Sequence, residues 1–93
     1  MAFKVKWTAI AKENYREALS YIYDEWGGQV AERFTEELEA KIEVLVKFPY
    51  LGRQHSSLPA VRQLVVRKKQ VLFYTVVDAD IIILNLLNTS RKR

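Results

Sequence analysis

A chain of 93 residues, nearly half of them apolar, specifies one domain with one core and excludes intrinsic disorder. It has no cysteine, which excludes a disulfide framework and a thiolate metal site. No stretch approaches a membrane span and the opening residues lack the apolar centre of a signal peptide, so a soluble, cytoplasmic chain is expected.

The net charge of +4 is unevenly divided. Residues 1–48 carry seven Lys or Arg against nine Asp or Glu, whereas residues 49–93 carry eight against two. A basic second half points to an anionic partner, either nucleic acid or an acidic protein; the plainer reading is that these cations keep a sheet in solution.

Phe3-Lys4-Val5-Lys6-Trp7 alternates apolar and basic residues and predicts a short strand with Phe3, Val5 and Trp7 on the core face. Thr8 can cap the next element, because its hydroxyl accepts from an orphan N–H of a first helical turn. That helix is expected from about Ala9 to Glu25. Ala11, Tyr15, Ala18, Leu19, Ile22 and Trp26 recur at spacings of three and four and make one apolar stripe. Gly27-Gly28 ends it, since glycine accepts backbone geometry that side chains resist.

A second helix is expected from about Gln29 to Phe48. Its stripe is Ala31, Phe34, Leu38, Ile42 and Leu45, and Glu32, Glu36, Glu37, Glu39 and Glu43 make its outer face acidic. Phe48-Pro49 stops it, because the residue before proline disfavours helical geometry. So short a link between the helices forces an antiparallel hairpin. Trp7, Trp26 and Phe34 are assigned to the core.

Tyr50 to Ala60 reads as a loop holding Arg53 and the only histidine, His55. With neither Cys nor a second His beside it, His55 cannot found a zinc site and is expected to be solvated. From Arg62 to Leu87, three short runs rich in β-branched, aliphatic and aromatic residues are separated by brief polar breaks, the pattern of an antiparallel meander. In the first run Arg62, Leu64 and Val66 share one face and Gln63, Val65 and Arg67 the other. In the second, Val71, Phe73, Thr75 and Val77 oppose Leu72, Tyr74 and Val76. The third is apolar on both faces, as in a centrally buried strand, and the N-terminal strand is expected to pair near it. Asn88 to Arg93 reads as a polar, basic tail. The expected fold is α+β, in the order β-α-α-β-β-β: a helical hairpin packed on one face of a small twisted, mainly antiparallel sheet. Function is expected on the open face, with the loop and the tail.

At this order and length the chain resembles the RelE/ParE superfamily of toxins from bacterial type II toxin–antitoxin pairs. The resemblance covers essentially the whole chain. It is carried by Val5-Lys6-Trp7-Thr8, by Tyr23 and Trp26 closing an aromatic-rich first helix, and by Phe34 with Leu38 in the second. It continues through Phe48-Pro49-Tyr50-Leu51-Gly52-Arg53, Arg62 opening a strand, Val71-Leu72-Phe73-Tyr74, Ile81-Ile82-Ile83-Leu84, and Arg91 just beyond. The resemblance implies a growth-inhibiting toxin held silent by a cognate antitoxin, of the kind that serves plasmid stabilisation. One branch, similar to RelE, cleaves messenger RNA on the ribosome; the other, similar to ParE, inhibits DNA gyrase and is no nuclease.

RNA cleavage by internal attack would need cations for the charge building on the phosphate and an acid for the leaving oxygen. Under that reading Arg62, Arg67, Tyr74 and Arg91 are the catalytic set, with Tyr74 stacking a base or donating a proton. Nuclease members often carry a His or Tyr just after the last strand, where this chain has Asn88, Thr89 and Ser90. The absence of an acid–base group there favours the ParE-like branch. Arg53, Arg62, Lys68, Lys69, Arg91, Lys92 and Arg93 are then binding residues. Arg62 is weighed equally as the structural partner of an acid on the second helix. No metal and no cofactor is expected. The partner would be an antitoxin with an acidic or amphipathic segment lying on the hairpin or the basic sheet face. A third reading is a degenerate, non-toxic relative or a basic binding module.

Overall fold

The computed structural model describes residues 3–67 and 69–89, so Lys68, Arg91, Lys92 and Arg93 lie outside the described residues. The first strand, β1 (Lys4–Trp7), exposes its lysines and turns Val5 and Trp7 to the core. Thr8 follows in extended geometry, and its hydroxyl accepts from the Ala11 N–H at 3.0 Å, which starts helix α1 (Ala9–Trp26). Gly27 ends α1 with φ 93° and ψ 175°, a region essentially closed to side-chain-bearing residues, while its N–H still bonds the Tyr23 carbonyl. Helix α2 (Gly28–Lys47) begins at the next residue. With one residue between them, the helices turn back on each other, as expected. α2 stops one residue before the expected end, with Phe48 capping through its N–H to the Val44 carbonyl.

Four strands follow: β2 (Arg53–Gln54), β3 (Val61–Arg67), β4 (Gln70–Val77) and β5 (Asp80–Asn88). They and β1 form one five-stranded sheet in the order β1-β5-β4-β3-β2. The meander is antiparallel, and β1 joins β5 in parallel with Val5 beside Ile81 and Trp7 beside Ile83. The central strand is β4; β5, read as central from its two apolar faces, lies between β4 and β1.

β2 corrects the reading of Tyr50–Ala60 as all loop. His55 is what folds the chain there. Its N–H bonds the Val61 carbonyl, and its ring Nδ1 accepts from the Ser57 and Leu58 amides at 3.1 and 3.2 Å. The half-buried ring lies 6.4 Å from that of Phe73, so His55 organises a turn rather than standing in solvent. The expected tail also begins later: Asn88 belongs to β5, and the Thr89 N–H bonds the Lys69 carbonyl at 2.8 Å.

Phe34, Leu45, Leu72, Tyr74, Ile81 and Ile83 fill the core between the hairpin and one face of the sheet. Tyr15 links the layers, edge-on to Trp7 and stacked on Phe34. Trp26, assigned to the core from its place on the α1 stripe, is 66% exposed. It is the last helical residue before the Gly27 break, so its ring stands at the tip of the hairpin. No helix among the described residues is long and apolar enough to cross a membrane.

Candidate functional site

The Pro49–Arg53 segment joins the helical layer to the sheet, and two side chains hold it. Tyr74, from the middle of the central strand, has no exposed surface. Its hydroxyl donates to the Pro49 carbonyl and accepts from the Gly52 N–H, each at 2.8 Å. Gly52 is required by this approach: a Cβ there would lie 2.7 Å from the Tyr74 Oη and 2.9 Å from the Gln63 carbonyl oxygen. Arg62 closes the segment from the side. Its Nη1 donates to the Gly52 carbonyl at 2.7 Å and to the Tyr50 carbonyl at 3.2 Å, and its guanidinium lies 5.2 Å from the centroid of the Tyr50 ring. The Pro-x-x-Gly-Arg step is thus a loop whose backbone polar groups are met by one tyrosine and one arginine.

Tyr74 is therefore a strut, and its buried hydroxyl is committed to two backbone groups rather than aimed at a substrate. Burial raises its pKa above the ordinary tyrosine value, opposed by the Gly52 hydrogen bond and the Arg62 charge. The structure places this residue in the core, with no exposed surface.

Cross-strand register separates the cations that the sequence groups together. Arg53 pairs with Gln63 and Gln63 with Phe73, a row on the open face. Gln54, Arg62 and Tyr74 form the neighbouring row, on the helix face. Arg67 was expected to share a face with Gln63 and Val65, which in the structure is the open one. Val66 keeps the core face that alternation with Leu64 implies, and a bulge between Val65 and Arg67 turns Arg67 toward α2. There its Nε meets the Glu37 carboxylate at 3.6 Å. The acid of the second helix thus goes to Arg67, not Arg62. Glu37 Oε1, Arg67 Nη1 and Gln70 Oε1 are buried there without hydrogen-bond partners. Arg62 and Arg67 stand at opposite ends of β3, roughly 16 Å apart at the usual rise of a strand. Arg53 and Arg62 thus lie at one end of β3, and Arg67 with Lys69 at the other.

The hairpin tip forms a second surface. Tyr21, Tyr23 and Trp26 are exposed, and a cavity of about 350 Å³ opens between Trp26, Ile22 and Val30 on the helices and Arg67, Lys69 and Gln70 at the β3–β4 connection. Beside it, the edge of β5 beyond the end of β1 is sealed by α1. Asn14 Oδ1 accepts from the Leu86 N–H at 3.1 Å, and the Thr8 hydroxyl donates to the Leu84 carbonyl at 3.2 Å. The sequence reading missed Asn14. The available signal was an asparagine on the apolar stripe of α1, between Ala11 and Ala18, where a poor helix former implies a hydrogen-bonding duty.

A family model described as "ParE toxin of type II toxin-antitoxin system, parDE" matches residues 5–93. Among solved structures, the chain is similar to one from the "Chromosomal ParDE TA system from P. aeruginosa", with a TM-score of 0.78 and 20% sequence identity. That match covers 92% of this chain and 95% of the other, and shows a shared fold. No curated protein sequence matches the chain.

Proposed function

We propose, from the premise that the chain belongs to the ParE toxin family of type II toxin–antitoxin systems, that it arrests growth by binding DNA gyrase without catalysing a reaction, and that a cognate antitoxin neutralises it. The observation that carries this reading is the fate of the nuclease residues. Tyr74 is buried under the loop, Arg62 is bonded to the loop carbonyls, and Arg67 is turned onto Glu37. RNA cleavage would need an acid and converging cations, and the described part of that set serves packing instead. At the end of β5, Asn88 and the following Thr89 supply no group that titrates near neutral pH.

The antitoxin belongs, in this reading, at the hairpin tip. An amphipathic segment would seat an apolar residue in the cavity beside Trp26 and set its acidic residues against Arg67 and Lys69. The test is gyrase supercoiling in the presence of the purified chain. Inhibition, relieved by the product of an adjacent short reading frame, is expected. Undiminished supercoiling, together with messenger RNA cleaved on translating ribosomes, would transfer the reading to the RelE-like branch.

A further inference from the structure

Phe48, Tyr50 and Leu51 are between half and two-thirds exposed, and Leu58 from the adjoining turn is 58% exposed. Such exposure commonly marks a mobile loop, but here the backbone beneath is fixed. The Leu51 N–H bonds the Phe48 carbonyl at 3.0 Å, Tyr74 holds both sides of the Pro49–Gly52 turn, and Arg62 holds its carbonyls and backs the Tyr50 ring. A rigid scaffold displaying large apolar side chains to water has its ordering cost met before any partner arrives. Aromatic residues beside arginine are also the types that dominate binding energy at protein interfaces.

The charge around this loop is one-sided. From Val44 to Arg62, the part of the chain that builds and flanks the loop, the sequence has no Asp or Glu and carries Lys47, Arg53 and Arg62. We infer that the Phe48–Arg53 loop is a preorganised docking surface for a protein target whose apolar pocket is rimmed by carboxylates. Phe48 and Leu51 enter the pocket, and Arg53 meets the rim. A nucleic acid fits less well, because Phe48, Leu51 and Leu58 offer aliphatic and aromatic bulk that needs an apolar recess. This inference rests on the reading that the chain acts on a protein. It adds that the target and antitoxin surfaces are separate: α2 has 20 residues, about 30 Å at the helical rise, with the hairpin tip at its start and the loop at its end.

The test uses the whole chain carrying Phe48→Ser with Leu51→Ser, and separately Leu51→Asp and Leu51→Lys. Ile10→Ser, also at an exposed apolar position, is the control. Thermal unfolding shows that each variant is folded. The inference expects at least a tenfold loss of gyrase inhibition for the double variant, a larger loss for Leu51→Asp than for Leu51→Lys, and the wild-type value for Ile10→Ser. If the wild type inhibits gyrase and the double variant inhibits equally, the surface assignment is overturned and the gyrase reading stands. If the wild type leaves gyrase untouched, that reading falls and growth arrest on induction decides the surface. Arrest lost with the double variant supports it; arrest retained, or a wild type that arrests nothing, overturns it. Tight wild-type binding to a 20-base-pair DNA duplex alone that is lost with the double variant would overturn the protein partner.

Discussion

Tyr74 shows how much one side chain can determine. Replacing it with Phe keeps the ring and deletes the hydroxyl, leaving the Pro49 carbonyl and the Gly52 N–H without their partner. Each such group costs about 1–3 kcal/mol when buried, so Tyr74→Phe is expected to lower stability by about 2–4 kcal/mol in urea unfolding. That is a large share of the margin typical of a small domain. Gly52→Ala attacks the same joint from the other side, and the two changes should fall short of additivity in a double-mutant cycle because they break one contact. The tyrosine also has a pH signature. Its folded-state pKa lies above the unfolded value near 10, so above pH 10 the unfolded chain releases this proton first. The stabilisation is complete below about pH 10 and is lost as pH rises through the folded pKa. The wild-type stability curve should accordingly fall more steeply above pH 10 than that of Tyr74→Phe.

At the scale of elements, the hairpin depends on Gly27. Its φ of 93° with extended ψ allows α2 to start immediately after α1. Gly27→Ala meets no neighbouring atom, so its cost is purely conformational, about 1–3 kcal/mol. Gly28→Ala, inside the first turn of α2, should change stability by less than about 0.5 kcal/mol. Thermal unfolding of the two variants side by side checks this. The contrast explains why a Gly-Gly pair could be read as a helix break without revealing which glycine makes it. Helices and strands were legible because each buries one periodic face. The bulge at Val66 was not, because its position follows from the register of β3 against β4. That register moved Arg67 from the face implied by alternation to the one that meets Glu37. β2 was hidden for a related reason: two residues carry no periodicity, and their pairing depends on the turn that His55 folds.

For the whole molecule, the division of charge becomes a division of surfaces. The acidic outer face of the helices and the acid-free strands β3 and β4 lie in different layers, joined at the Pro49–Arg53 loop. A toxin with a gyrase target should halt DNA synthesis before protein synthesis after induction without its antitoxin. Pulse labelling checks that order, and a prior fall in protein synthesis would favour ribosomal messenger RNA. Gyrase inhibition should also weaken as salt rises, since exposed cations at an interface are screened beyond about 10 Å at 0.1 M.

The sequence by itself determined the α+β class, the element order apart from β2, the helical hairpin, the pairing of β1 near β5, and the family. Each is written in local periodicity, in a breaker residue, or in a motif of adjacent residues. Only the tertiary structure decided what the motif residues do. Tyr74, Arg62 and Arg67 share one strand pair, and as residue types they suit a phosphate site. Register and a bulge instead direct them to the loop backbone and to Glu37, because buried polar groups must find partners in whatever lies across the sheet.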